Sequence, residues 1–203
     1  MLKQHVFLIY QMSRREVLGR YRGSMMGLLW SFASPLVMLA VYTFVFGTVF
    51  RVRWQTGDGD TASFALNLFA GVLLHSFLAE CLNRSPALIA ENTGYVKKVV
   101  FPLWIIPVVL VLAALFHLLV GLLVLLVAAG VVQQQVHAGV LLLPLLLLPF
   151  ALLALGLSWF IAALGVYLRD LAQVLPVVST MLLFLAPVLY PLEALPAGLR
   201  EHL

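Results

Sequence analysis

The sequence contains no Asp, Glu, Lys or Arg from Val99 to Leu168, a run of about 70 residues. A soluble domain carries charged groups over its surface, so this absence excludes an ordinary globular protein. One helix that crosses the hydrocarbon needs about 20 apolar residues. The run therefore predicts two spans, and the polar interruption at 133–139 marks the turn between them. The whole chain agrees, with 64% hydrophobic residues, 10% charged residues and a mean hydropathy of +1.10.

Several chemical motifs are also missing from the sequence. A single cysteine, Cys81, excludes an internal disulfide. There is no G-x-x-x-x-G-K-[ST] loop for ATP phosphates and no H-E-x-x-H or cysteine pair for a metal. The five histidines are too far apart in sequence for a local ligand motif. Of these, His75 and His117 fall inside spans, where we expect hydrogen bonds to neighbouring helices.

Carboxylates within the predicted spans are almost absent, which argues against a proton- or sodium-driven carrier. Glu80 lies near the end of its span, and Arg84, four residues later on the same helix face, is its expected partner. Any uphill transport would then take its energy from another chain. The first apolar run begins only after Arg22, too late for a signal peptide, so no cleavable leader is expected.

The apolar segments predict an all-α, polytopic transmembrane bundle in one membrane domain over residues 1–203. An amino-terminal interfacial segment is expected over 1–24, the membrane spans over 25–190 and an extracytoplasmic segment over 191–203. We expect five spans, at about 25–50, 64–82, 99–132, 140–167 and 171–190. The third is longer than a bilayer is thick, so Pro102 and Pro107 should kink its start or place it outside the hydrocarbon.

Basic residues predict the orientation, because cytoplasmic loops carry an excess of Lys and Arg. Nine of the 12 basic residues would share one side with the amino terminus, against Arg51, Arg53 and Arg200 on the other. The amino terminus is thus expected in the cytoplasm. The pI near 9.5 reflects these flanking charges and anionic headgroups, and no nucleic-acid partner is expected. Residues 2–18 favour an amphipathic helix in the interface; the alternative is a tail that only sets orientation.

Three groups of residues occur in a fixed order relative to the spans. The first reads RYRGS at 20–24, then GLLWS at 27–31 and YTFVFG at 42–47. The second reads NRS at 83–85, EN at 91–92 and KKVVFP at 97–102. The third reads YLRDL at 167–171, then PVLYP at 187–191 and LP at 195–196. Over nearly its whole length, the chain resembles the permease subunit of ABC-2 type exporters that move O-antigen, capsular polysaccharide or teichoic acid across the bacterial cytoplasmic membrane.

The resemblance implies a permease homodimer with two nucleotide-binding subunits, which would hold the ATP and Mg; this chain would need no cofactor and would not be an enzyme. It implies an amino-terminal helix on the membrane surface and an ATPase-coupling helix within 84–98. It also implies a re-entrant gate on the outer side, beginning around Pro187, Tyr190, Pro191 and Pro196. The family normally adds a sixth span and ends in the cytoplasm, so we expect either that this chain is truncated or that its gate closes differently.

Residue types suggest how such a permease would work. At the 84–98 segment, Ser85–Pro86 is a good helix start, and the candidate ATPase contacts are Arg84, Glu91, Lys97 and Lys98. Arg169 and Asp170, at the turn between spans four and five, are either a structural ion pair or helix cap, or a second ATPase contact. Arg20 and Arg22 could hold the phosphates of a lipid-diphosphate substrate.

An aromatic stripe is expected on the first span. Tyr42, Phe46 and Phe50 recur every four residues, and Trp30 lies lower on the same helix. Such faces stack on sugar rings, but they equally suit lipid contact or packing. Three rival functions stay open at this point: an ABC-2 permease for drugs or lipids, an intramembrane lipid-processing enzyme and a structural membrane partner without a transport role.

Overall fold

The structure, a computed structural model, describes residues 2–45, 61–98, 101–133 and 142–186, and within these ranges it contains helices and no strands. The all-α fold class is confirmed. The helices are α1 (Leu2–Arg20), α2 (Trp30–Tyr42), α3 (Thr61–Arg84), α4 (Leu88–Glu91), α5 (Thr93–Lys98), α6 (Ile105–Gln133), α7 (Leu143–Tyr167) and α8 (Leu171–Leu185). Short 3-10 turns precede α2 at Gly27–Leu29 and α4 at Ser85–Ala87.

Four helical stretches in the described ranges are long and apolar enough to cross a membrane. They are Gly27–Val45, Phe64–Glu91, Ile105–Val132 and Leu143–Tyr167. The polytopic character of the chain is thereby confirmed. The helix α8 starts where the fifth span was predicted, but it has 15 residues and contains Pro176. At 1.5 Å per residue it extends about 22 Å, less than the hydrocarbon thickness of about 30 Å.

The core lies where α3, α6 and α7 pack together. Its buried members are Phe77, Cys81, Val111, Ala114, Leu118, Leu122 and Ala154. Lipid tails are as apolar as these side chains, so helix association in a membrane depends on close packing, which small residues permit. Ala114 and Ala154 are 1% and 0% exposed, which indicates that the three helices meet at these alanines.

A bulkier side chain at this contact should separate the helices. We expect Ala154→Leu to destabilise the protein by about 1–3 kcal/mol, because overpacking forces side chains and backbone to shift. Ala163→Leu is the matched control, since Ala163 lies on the same helix but is exposed. The melting temperatures of the two detergent-solubilised variants check the prediction. Equal melting temperatures would show that the contact at Ala154 tolerates the added volume.

The chain turns sharply between α1 and α2, and glycine makes the turn possible. Gly23 and Gly27 have φ of 91° and 51°, a left-handed backbone that other residues rarely adopt. The turn directs α2 along the bundle, although the stretch that includes α2 is only 6% buried. The helix therefore offers most of its apolar surface to lipid or to another chain.

Candidate functional site

The helix α1 lies lengthwise on α6 and makes contacts near both of its ends. The His5 ring stacks on Trp104, just before α6, with a centroid distance of 5.9 Å. At the other end the Tyr21 hydroxyl lies 2.8 Å from His117 Nε2. These contacts show that α1 and α6 run side by side in the same direction. The predicted helix at the amino terminus is present, and its location in the membrane interface stays a prediction.

Four charged side chains join α1 to the end of α3. Arg20 pairs with Glu80, and the Arg84 Nη2 atom donates to Glu16 Oε1 at 2.5 Å. A longer contact of 3.5 Å between Arg84 Nη1 and Glu80 Oε1 confirms the pair predicted from their spacing. We call Glu16, Arg20, Glu80 and Arg84 the charge quartet. Its two positive and two negative charges balance, so it holds α1 to α3 without adding net charge.

The quartet is partly shielded from water, which strengthens its electrostatic contacts. Its side chains are between 21% and 36% exposed. Burial lowers the pKa of the Arg20 guanidinium from its ordinary value, and the positive charge of Arg84 acts in the same direction, while the Glu16 carboxylate opposes both. Removing one partner would leave its counterpart without compensation in a partly dry site.

The two arginines predicted to hold phosphate have different surroundings in the structure. Arg20 is committed to Glu80, whereas Arg22 is exposed and has no ion-pair partner among the described residues. Arg22 lines a groove of about 930 Å³ along α1, which we call the α1 groove. Its other lining residues are Phe7, Tyr10, Gln11, Arg14, Arg15, Glu16, Leu18 and Gly19. Arg14 is thus a candidate that the sequence reasoning missed. The spacing of residues 7, 11, 14 and 18, which share one face of α1, is the signal that could have found it.

The 84–98 segment is helical, as predicted from Ser85–Pro86, and is seated on the bundle. Ser85 is fully buried, and its hydroxyl donates to the Cys81 carbonyl at 2.5 Å. Leu88 packs against α6 and α7 in a buried cluster with Ile106, Leu110 and Ala162.

The predicted ATPase contacts of this segment differ in accessibility. Glu91 is exposed, whereas the guanidinium of Arg84 is directed at Glu16 and Glu80. Lys97 and Lys98 belong to α5, but their side chains lie outside the described part of the structure.

The turn between α7 and α8 presents Arg169 and Asp170 at the surface. Asp170 is the residue before α8, as expected for a cap, and its carbonyl accepts from the Gln173 N–H at 2.9 Å. Its carboxylate makes no capping hydrogen bond, so that part of the cap prediction is wrong. Arg169 and the 84–98 segment line one groove of about 420 Å³, with Pro86, Ala87, Ala90, Thr93, Gly165 and Ala172 among its other residues. The structure therefore brings these two predicted contacts to one place.

The aromatic residues predicted for a channel are only partly described. Trp30 begins α2 and is exposed. The Tyr42 ring lies 6.5 Å from that of Phe69 on α3, at an angle of 51°. Phe46 and Phe50 lie outside the described residues, as do the gate residues Pro187, Tyr190, Pro191 and Pro196. The stripe and the gate stay predictions.

Of the two histidines inside spans, His75 makes the expected contact with a neighbouring helix, whereas His117 bonds to its own helix and to the turn after α1. His75 Nε2 lies 2.8 Å from the Ser179 carbonyl and ties α3 to α8. His117 Nδ1 lies 2.7 Å from the Ala113 carbonyl, which can only accept, so the Tyr21 hydroxyl donates to His117 Nε2. Among residues 2–45, 61–98, 101–133 and 142–186, no group of three His, Cys, Asp or Glu side chains could hold a metal ion.

Comparison of the sequence with known proteins identifies a family and several similar permeases. A family model described as ABC-2 type transporter matches residues 8–201. The O-antigen export system permease protein RfbA of Myxococcus xanthus is 29% identical over 194 residues, which are 96% of this chain and 72% of that protein. A permease of the same name from Klebsiella pneumoniae is 26% identical over 190 residues, or 93% of this chain and 71% of that protein.

Proposed function

We propose that this chain, which belongs to the ABC-2 type transporter family, is the permease subunit of an ATP-driven exporter for a lipid-linked polysaccharide of the O-antigen type. The observation that carries the proposal is the alignment of 93–96% of the chain with permeases named for O-antigen export. The several apolar helices fit a multi-pass protein. We place it in the bacterial cytoplasmic membrane with the amino terminus inside, which the distribution of Lys and Arg supports.

Energy would come from two separate ATPase subunits, which bind ATP and Mg. The sequence supports this because it contains no phosphate-binding G-x-x-x-x-G-K-[ST] loop. We assign ATPase docking to the surface that carries Glu91 and Arg169, which are exposed at the same end of the bundle. Lys97, Lys98 and Asp170, which are close to these residues in the sequence, are the other proposed contacts. Arg84 would act from the inside, because its guanidinium contacts Glu16 and Glu80.

The conduit would form between two copies of the chain. The helix α2 supports this, since its apolar residues Leu36, Val37, Met38 and Val41 are all about half exposed. A hydrated glycan needs a wider passage than one bundle of this size offers. Aromatic rings along the first span, from Trp30 and Tyr42 to Phe46 and Phe50, would stack on the passing sugars. The segment from Pro187 to Pro196 would close the outer side as a re-entrant gate.

The lipid-diphosphate end of the substrate would enter at the α1 groove. Arg22 and Arg14 line this groove beside Phe7, Tyr10 and Leu18, so cations and apolar rings lie together. Guanidinium groups bind phosphate through paired, charge-assisted hydrogen bonds. Arg20 would support this site by holding α1 to Glu80, rather than by binding phosphate itself.

A deletion strain of the native host tests the proposed function. Without the permease, undecaprenyl-linked glycan should accumulate inside the cell and surface polysaccharide should disappear. Expression of the chain with its ATPase from a plasmid should reverse both effects. If surface polysaccharide persists and only sensitivity to drugs or lipid composition changes, the chain is an ABC-2 permease for small amphiphiles instead.

A further inference from the structure

Gly165, near the end of α7, touches the backbone of the 84–98 segment. A Cβ atom built at Gly165 would lie 2.3 Å from the Pro86 carbonyl oxygen, 2.6 Å from its Cα and 2.8 Å from its carbonyl carbon. All three atoms belong to the main chain, so no change of rotamer could relieve the contact. Only glycine therefore allows α7 and the Ser85–Ala87 turn to approach this closely.

The partner of Gly165 is held rigidly from several sides. Proline fixes the φ angle at Pro86, and the preceding Ser85 is fully buried and bonded to the Cys81 carbonyl. Just beyond the turn, Leu88 is buried against Ala162, which lies one helical turn before Gly165. Because close-packed interiors transmit strain, a displacement of the turn should be passed on to α7 and not absorbed by local rearrangement.

The chain beyond Gly165 leads directly to α8. The helix α7 ends at Tyr167, and α8 begins at Leu171 after the Arg169–Asp170 turn. Val166, Arg169 and Ala172 share a groove with Ala87, Ala90 and Thr93 of the 84–98 segment. The α7–α8 corner and the 84–98 segment consequently lie side by side, and α7 directly contacts the Ser85–Ala87 turn.

We infer that Gly165 is the positioning residue through which the 84–98 segment moves the α7–α8 pair when ATP is hydrolysed; this rests on the proposed function. The segment then moves two parts of the bundle, α3 and the α7–α8 pair. It drives α3 because the chain is continuous with it, and α7–α8 because the Pro86 backbone sits against Gly165. A side chain at Gly165 would separate the segment from α7. Movement of the segment would then reach α3 but not the α7–α8 pair.

The test compares two glycine substitutions on the same helix, Gly165→Ala and Gly156→Ala. Both add a methyl group and helix propensity, but a Cβ at Gly156 would have no neighbour within 4 Å. Each variant is assembled with its ATPase in vesicles that contain lipid-linked glycan. We expect Gly165→Ala to keep its ATP hydrolysis while glycan export per ATP falls about tenfold, with Gly156→Ala unchanged. An equal export per ATP in both variants would overturn the inference.

A second measurement applies even if Gly165→Ala does not fold. Spin labels are attached to Thr93→Cys and Ala172→Cys in a Cys81→Ala background, using the assembled exporter with wild-type Gly165. Their separation should stay constant to within about 2 Å between the nucleotide-free and vanadate-trapped states, as for one packed body. A larger change would overturn the inference. Because this distance needs no glycan, its outcome is independent of whether the substrate class is correct, which the wild-type export assay reports.

Discussion

Exchanging the two α1 members of the charge quartet, Glu16→Arg with Arg20→Glu, is expected to detach α1 from α3 and to abolish export. The exchange places a positive side chain at position 16 opposite Arg84 and a negative side chain at position 20 opposite Glu80. Partly exposed ion pairs contribute about 1 kcal/mol each. Turning two attractions into two repulsions of similar size then changes the docking free energy of α1 by roughly 4 kcal/mol, on the order of a thousandfold in its equilibrium.

Inverting all four charges provides the decisive control. With Glu80→Arg and Arg84→Glu added, each contact of the quartet is present again with its signs reversed. The exchange leaves the net charge of α1 unchanged, so the basic residues that set orientation keep their balance. Melting temperature and surface polysaccharide should fall in the α1 exchange and recover in the full inversion. If the full inversion is no better than the exchange, the four residues do not act through these pairs.

The quartet also shows where sequence reasoning ends. Glu80 and Arg84 are four residues apart on one helix, so their pairing follows from helix geometry and was predicted. The partners supplied by α1 lie at least 60 residues away in sequence, and only the packing of α1 along α6 brings them close. Local periodicity carries no information about such a contact. The sequence neighbours of Arg20 give no sign that Glu80 is near, so the prediction that Arg20 holds phosphate could not take this ion pair into account.

Other features divide in the same way. Uncharged length predicted α6 and α7, and Ser85–Pro86 predicted a helical start, because hydropathy and proline act locally. The sequence contains 14 glycines, however, and nothing local distinguishes Gly165 from Gly156. Their difference is the presence or absence of another backbone above the helix. The end of α8 at Leu185 was not predicted either, because apolar composition does not show where Ala186 becomes extended.

The double variant Arg14→Ala with Arg22→Ala is expected to reduce glycan export to a few per cent or less of the wild-type rate. Each charge-assisted hydrogen bond contributes about 1.5–3 kcal/mol, so losing both contacts weakens phosphate binding by about a hundredfold or more. Neither arginine has a carboxylate partner among the described residues, so their removal strands no opposite charge. The melting temperature should therefore stay at the wild-type value.

Two comparisons separate phosphate recognition from a general effect of charge. Lys3→Ala removes an exposed cation of α1 that is not among the residues lining the groove, and export should be unchanged. Replacing both arginines by lysine keeps the charge but loses the planar fork, so export should recover only in part. The export rate measured against the concentration of lipid-linked glycan should show a raised KM in the double alanine variant.

Arg20→Ala, in contrast, should lower the melting temperature first, since it leaves Glu80 with Arg84 alone and loosens the helix that carries the groove. If Arg20→Ala instead raises KM at wild-type stability while the double variant exports normally, the phosphate site lies at Arg20 and the α1 groove has no part in binding.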